Sequence, residues 1–235
     1  MVINLMQGDC LERMNEIPDG SVDMVLTDPP YGTTACKWDS VIPFEPMWEQ
    51  LKRVTKKNGA IVMTASQPFT SALIMSNVKM FKYCWVWEKN RATGVLNAKR
   101  QPLRSIEDVC VFNAGYYNPQ GLIPCNEVSR NSKSDSPVYG TGQTKSYIRK
   151  WKNYPKQVLR FDSVQRTVHP TQKPVALMEY LIKTYTNEGE TVLDFTMGSG
   201  TTGVAAKKLN RSFIGIEMDE TYFNIAKERI DAIEA

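Results

Sequence analysis

Apolar positions recur along the chain at two periods, and the switches between them mark its elements. Val2–Met6 and Val22–Leu26 are short apolar runs that read as strands, with one or two helical turns over Leu11–Ile17 between them. Met47, Leu51 and Val54 form one face of a helix over Pro46–Thr55, which Asn58-Gly59 would end. Ala60–Ala65 reads as a buried strand and Thr70–Asn77 as a helix. "KYCWVWEK" (Lys82–Lys89) and "EDVCVFNA" (Glu107–Ala114) are β-rich runs separated by the polar stretch Asn90–Ser105, and they suit an antiparallel pair. From Pro174 the helical period returns through Leu177, Met178, Leu181, Ile182 and Tyr185, and Glu188-Gly189 closes it. A strand over Thr191–Phe195, a helix over Thr201–Leu209, a strand over Ser212–Glu217 and a helix over Tyr222–Ile233 complete the chain. Strand and helix alternate at both ends, which predicts an α/β fold with a mostly parallel sheet.

Gly115–Val168 breaks this rhythm. It is rich in Asn, Ser, Gly, Pro and Lys, with Tyr116, Tyr117, Tyr139, Tyr147, Trp151 and Tyr154 interleaved, and those aromatics argue against disorder. It also changes the charge picture. The whole chain of 235 residues carries a net charge of +4, yet this segment has nine basic residues against three acidic ones. The remainder is slightly acidic, so the imbalance points to a polyanion contact on one module.

Composition narrows the class. Apolar residues make up 42% and charged residues 23%, ordinary values for a soluble globular protein. No apolar run approaches membrane-spanning length, and "MVINLMQGDC" lacks a signal-peptide layout. The five cysteines are widely spaced without a C-x-x-C, as expected of reduced thiols inside a cell, and the single His169 argues against a histidine metal site.

Two stretches carry chemistry. "TDPPYG" (Thr27–Gly32) follows the apolar run Val22–Leu26. A residue before proline is pushed out of the α region, and proline has no N–H, so the step is stiff and rich in acceptors. With the Asp28 carboxylate and the Tyr31 ring it suits a flat group bearing an amine; a strand followed by an Asp-Pro turn uses the same residues. The second stretch, "TVLDFTMGSGTTG" (Thr191–Gly203), is a strand ending in an acid and a glycine turn opening a helix. Gly198, Gly200 and Gly203 fit G-x-G-x-x-G, and Glu217 ends the next strand where it can take a ribose diol. NAD, S-adenosylmethionine and a purely structural turn all remain open for this motif. Asp194 suits a ligand with a positive amine and sulfonium better than one with a pyrophosphate, and NAD gives no role to Asp28–Tyr31.

Taken together, "DPPY" at Asp28–Tyr31, "HPTQKP" at His169–Pro174, "DFTMGSGTT" at Asp194–Thr202 and "GIEMD" at Gly215–Asp219 resemble the amino-group DNA methyltransferases. The catalytic motif precedes the variable basic segment and the cofactor motifs, which is the circularly permuted order of the β group. The resemblance implies a Rossmann-like seven-stranded sheet with one antiparallel strand. It implies a catalytic half over 1–114, a target-recognition insertion over 115–168 and a cofactor-binding half over 169–235.

It also implies roles. Asp28, Pro29, Pro30 and Tyr31 would hold and methylate a flipped-out adenine at N6, the carboxylate and the Pro29 carbonyl orienting the amine and Tyr31 stacking on the base. S-adenosylmethionine would lie with its ribose on Glu217 and its adenine by Asp9 and Cys10. Its methionine part would meet Phe195 and the turn Gly198, Ser199, Gly200, Thr201 and Thr202, with Thr171, Gln172 and Lys173 helping to hold the carboxylate. Asp28, Asp194, Thr196 and Met218 would also lie against it. Lys37 and Trp38 would help to hold the extruded strand, and Lys145, Arg149, Lys150, Lys152, Lys156 and Arg160 would contact DNA. The resemblance brings in a homodimer and a cognate restriction enzyme as further partners, no membrane, and the cytoplasm of a bacterial or phage-infected cell. Three other readings stay open. They are methylation of cytosine N4, for which family members usually have Ser where this chain has Asp28; a glutamine or RNA methyltransferase; and a DNA-binding protein with a vestigial cofactor fold.

Overall fold

The computed structural model describes residues 1–34, 39–130, 134–136, 140–142, 146–165, 167–168 and 171–234. The N-terminal part runs β1 (Ile3–Gln7), α1 (Cys10–Arg13), β2 (Val22–Thr27), α2 (Phe44–Val54), β3 (Thr55–Ala65), α3 (Phe69–Ser76), β4 (Phe81–Thr93) and β5 (Arg104–Phe112). Then come β6 (Ile123–Arg130), β7 (Ser134–Ser136), β8 (Gly140–Gly142), β9 (Ser146–Lys152) and β10 (Val158–Arg160). The chain closes with α4 (Val175–Tyr185), β11 (Thr191–Asp194), α5 (Thr201–Lys208), β12 (Ser212–Glu217) and α6 (Glu220–Asp231).

Eight strands form one sheet in the order β1-β12-β11-β2-β3-β5-β4-β10. Every neighbouring pair is parallel except those of β5, which runs against both β3 and β4. This is the expected seven-stranded α/β sheet with one reversed strand, extended by β10 at the edge of β4. The two ends of the chain build it jointly, since β11 lies between β12 and β2. From that centre the following connections lead in opposite directions, so the carboxyl ends of β11 and β2 border a crevice.

Both faces of the sheet are covered, which is why its strands read as continuous apolar runs. Alternate residues face opposite layers. Met24, Leu26, Val62 and Val111 pack with Leu177, Leu181, Ala205 and Ile230 of α4, α5 and α6. Val25, Ile61, Met63 and Phe112 pack with Met14, Trp48, Leu51 and Leu73 from the other side.

One turn signal was misleading. Asn58-Gly59 does not end α2, which passes at Thr55 directly into β3. The β2–β3 register jumps from Val22↔Thr55 to Met24↔Ala60, so the intervening residues are an irregularity inside the strand. Gly59 is there because a Cβ would come within 2.7 Å of the Asp23 carbonyl and the Thr55 side chain.

The compact second unit is Pro119–Lys156. Within it β6 and β9 form an antiparallel pair, and β7 pairs with β8. Its flanks in the basic segment belong to the larger unit. Gly115 N–H donates to the Asn58 carbonyl (3.1 Å), Asn118 N–H to that of Thr184 (2.8 Å), and β10 joins the sheet. Among the described residues no helix is long and apolar enough to cross a membrane.

Candidate active site

A cavity of about 820 Å³ opens at the carboxyl ends of the parallel strands, within the usual range of small-molecule sites. β1 delivers Asp9 to it, β2 the Asp28–Tyr31 step, β11 the Asp194–Ser199 turn and β12 Glu217. β5 runs the other way, so its beginning, with Glu107, arrives at the same end.

Around Asp28 the cavity is held by side chains. Tyr31 OH donates to Asp28 Oδ1 (2.6 Å) and shares Thr64 Oγ1 (3.0 Å), and the Thr64 hydroxyl also donates to Oδ1. Lys173 Nζ donates to Oδ2 at 2.5 Å and lies 3.4 Å from Glu107 Oε2. The other Glu107 oxygen accepts from Lys89 (2.9 Å), while Oε2 is buried without a hydrogen bond. Burial works against the Lys173 charge, but the Asp28 and Glu107 carboxylates outweigh it and raise its pKa. Burial and the same two carboxylates push the Tyr31 phenol well above its ordinary value, so it stays a donor. The Tyr31 ring stacks on Phe69 with centroids 5.1 Å apart, and Lys173 Nζ is 5.8 Å from its centre. Asp39 fixes the loop beyond, accepting from the backbone N–H groups of Gly32, Thr33 and Thr34.

Around Glu217 the backbone does the holding. Its carboxylate accepts from Gly198 N–H (2.8 Å) and Asp219 N–H (2.9 Å). Burial raises its pKa, and those N–H groups oppose the rise. The turn needs glycine: Gly198 and Gly200 have φ of 51° and 76°, and a Cβ on Gly200 would come within 2.8 Å of Ala226. Between the two ends lies Asp194, which accepts from Thr27 Oγ1 (2.7 Å) and from Thr196 N–H (3.2 Å). Burial pushes its pKa up to about 6, against the hydroxyls of Thr202 and Thr27.

The structure gathers most of the residues singled out in the sequence. Asp28, Pro29, Pro30 and Tyr31 line the cavity, as do Asp9, Cys10, Thr171, Gln172 and Lys173. So do Asp194, Phe195, Thr196, Gly198, Ser199 and Thr201, and Glu217 and Met218. Gly200 and Thr202 stand behind this wall, one shaping the turn and the other buried against Asp194. Asp9 also caps α1, accepting from Leu11 N–H (2.8 Å). Burial holds the Cys10 thiol protonated, its pKa about 12. The ammonium of Lys173 is committed to Asp28 and Glu107.

The basic positions fare differently. Arg149 and Lys152 both pair with Glu127, and Arg160 pairs with Glu88 (2.7 Å) on the neighbouring strand. Lys150 and Lys156 are exposed with no acidic partner among the described residues. Lys37, Trp38 and Lys145 lie outside the described residues, as does His169. Sequence reasoning missed Thr64, Glu107 and Lys89. A signal existed for Glu107: an acid opening an antiparallel strand sits at the ligand end of a parallel sheet.

Comparisons with known proteins bear on the family and the fold. A family model described as DNA methylase, of the N6/N4 type, matches residues 22–228. The type II methyltransferase M2.DpnII of Streptococcus pneumoniae is 28% identical over 260 residues, covering 97% of this chain and 89% of its own. The type II methyltransferase M1.MboII of Moraxella bovis is 27% identical over 259 residues, covering 97% of this chain and 96% of its own. The crystal structure of M1.HpyAVI in complex with S-adenosylmethionine superposes with a TM-score of 0.66 at 28% identity, covering 97% of this chain and 100% of that one. The cytosine-N4-specific PvuII methyltransferase, at a TM-score of 0.72 and 16% identity, shares the fold over 100% of this chain and 89% of its own.

Proposed function

Because the chain belongs to the N6/N4 DNA methylase family, we propose that it methylates N6 of an adenine flipped out of DNA. It is a DNA methyltransferase that uses S-adenosylmethionine; the base and the roles of the residues are the proposal. The observation that carries it is the Asp28 carboxylate at the end of β2, gripped by Tyr31, Thr64 and Lys173 in the cavity that also holds Glu217.

The cavity suits the cofactor. Glu217 uses backbone donors on both oxygens and leaves lone pairs for a ribose diol. The glycine turn keeps Cβ atoms out of the way, and Asp194 and Asp28 give the wall the sign that a sulfonium and an ammonium require. When bound there, S-adenosylmethionine supplies an electrophilic methyl group.

The chain supplies position. The exocyclic nitrogen of adenine is a weak nucleophile, its lone pair delocalised into the ring. Hydrogen bonds to Asp28 Oδ2 and the Pro29 carbonyl orient both N–H bonds and favour a more pyramidal nitrogen, with its lone pair toward the methyl. Such positioning supplies up to about 7–11 kcal/mol at best. Lys173 Nζ donates to Oδ2, so the incoming amine takes over the place of an ammonium that Glu107 receives. The methylated nitrogen then releases its proton to water without needing a strong base. The Tyr31 face turned away from Phe69 stacks on the base, offsetting part of the few kcal/mol that flipping costs. Lys150 and Lys156 contact phosphates, and the rest of the 115–168 segment reads the target. A homodimer, a restriction enzyme reading the same site, and action in the cytoplasm complete the reading; the type II names of the relatives support the restriction pairing.

The test is to incubate the protein with cofactor and unmethylated DNA, then digest to nucleosides for mass spectrometry. N6-methyldeoxyadenosine is expected. N4-methyldeoxycytidine would overturn the base, and cofactor binding without transfer to any DNA would leave only the vestigial reading.

A further inference from the structure

The β4–β5 ribbon outruns its sheet. β3 leaves β5 at Ala65↔Asp108, and β10 leaves β4 at Arg160↔Glu88, whereas β4 and β5 stay paired to Glu88↔Ile106 and, past an irregularity in register, meet once more at Thr93↔Arg104. Asn90–Arg104 is therefore an irregular hairpin arm, closed at its base by the Thr93↔Arg104 pair and turned at Val95–Asn97 by a short 3-10 helix, with no further strand beside it among the described residues. It rises from the carboxyl end of β4, where the cavity opens, and Arg91, Thr93, Arg104 and Ile106 line the cavity mouth.

Its chemistry is one-sided. From Lys89 to Ile106 there are five basic residues and no acidic one. Lys89 is paired with Glu107, but Arg91, Lys99, Arg100 and Arg104 are exposed with no acidic partner among the described residues. At the tip, Gly94 turns the chain with φ of 91°, and the next two side chains, Val95 and Leu96, are 69% and 101% exposed. A solvated basic face would account for the arginines, yet it leaves no reason for two bare aliphatic side chains at the end of an arm. A second copy docking on this tip by two-fold symmetry would bring like charges together.

We infer that the arm is a DNA-opening element. Its basic sides hold phosphates next to the target nucleotide, and Val95 and Leu96 enter the base stack beside it, filling the gap that the departing base leaves. Apolar wedges at base steps are a general way to unstack DNA. The inference rests on DNA being the substrate of the cavity and assigns the element that gives a duplex access to it.

Two variants of the full chain test this. Both pairs of side chains are exposed, so both variants keep the melting temperature and cofactor affinity of the wild type. Lys99→Gln with Arg100→Gln flattens the dependence of mixed-sequence duplex binding on salt, by about 0.9 log units of slope per lost phosphate contact. Val95→Ser with Leu96→Ser keeps that slope but slows duplex methylation by roughly tenfold or more, the equivalent of about 1.4 kcal/mol of lost wedge energy. An unchanged slope in the first variant, or an unchanged rate in the second, overturns the inference. So does a dimer that dissociates in the second variant while its methylation rate holds, since the tip would then be a protein contact. Failure of the methyltransferase reading looks different: the wild type transfers no methyl group to any DNA, and the salt slopes still decide whether the arm touches it.

Discussion

The two ends of the cavity hold their carboxylates by different means. Glu217 is fastened by backbone N–H groups, one from Gly198 in a turn whose φ angles demand glycine and one from Asp219 at the start of α6. Asp28 is fastened by a tyrosine, a threonine and a lysine, all of them side chains. Backbone donors are set by the fold and are present before any ligand arrives. Side-chain donors can be exchanged, and Lys173 has a second carboxylate within 3.4 Å to which it can go. The first arrangement suits a cofactor bound the same way in every cycle. The second suits a substrate amine that must take a place, react and leave.

If that contrast is right, mutations at the two ends fail differently. The largest effect belongs to Asp28→Ala, which should cut turnover by roughly two to three powers of ten, the usual size for loss of a preorganised polar contact in an active site. DNA binding should persist, because phosphate contacts dominate affinity; a filter-binding titration checks it. Glu217→Ala should weaken cofactor binding by roughly ten- to a hundredfold in calorimetry, as for lost hydrogen bonds to a charged group.

Glu107→Gln sharpens the comparison. Without a negative receiver Lys173 stays on Asp28, so kcat should fall by roughly tenfold with cofactor KM unchanged. Glu107→Asp should restore part of the loss, which a merely structural role would not give. An equal rise in cofactor KM would move Glu107 to the other end of the cavity.

Asp194 gives the smallest effect, and it depends on pH. Its pKa is raised by burial to about 6 in the folded protein, from an ordinary value of 3.8, so the folded state binds this proton more tightly than the unfolded chain. Ionised Asp194 is thus a standing cost above about pH 6, and the cost is gone below the ordinary value. Asp194→Asn should melt above wild type at pH 8, and the difference should close as pH falls through 6 toward 4. In the wild type, affinity for the cationic cofactor should weaken over the same fall. Melting curves and calorimetry at several pH values check both, and a melting difference independent of pH would contradict the buried charge.

How much of this was legible beforehand follows from range. The sheet could be read because its strands are buried on both faces, so each announces itself as an apolar run. The Asp28–Tyr31 step and the glycine turn could be read because a stiff or left-handed backbone leaves a local mark. The partnership of Lys173 with Asp28 could not, since the two lie 145 positions apart and nothing local in either couples them. β10 escaped notice because only Leu159 of its three residues is buried, too short a pattern for any period. In the sequence the arm is a polar gap between strands, because it lies past the core, where no buried face requires an apolar side chain. The charge surplus of Gly115–Val168 was legible as a sum but not as a surface: Glu127 and Glu88 take up Arg149, Lys152 and Arg160.

The most direct test is single-turnover methyl transfer by the wild type, Asp28→Ala and Glu217→Ala over a rising concentration of S-adenosylmethionine. A division of the cavity into a fixed cofactor end and an exchangeable amine end predicts that Glu217→Ala climbs toward the wild-type rate as cofactor saturates it. Asp28→Ala should stay roughly two to three powers of ten below the wild type at every concentration. If both variants recover, or neither does, the two ends do not carry the separate tasks assigned to them.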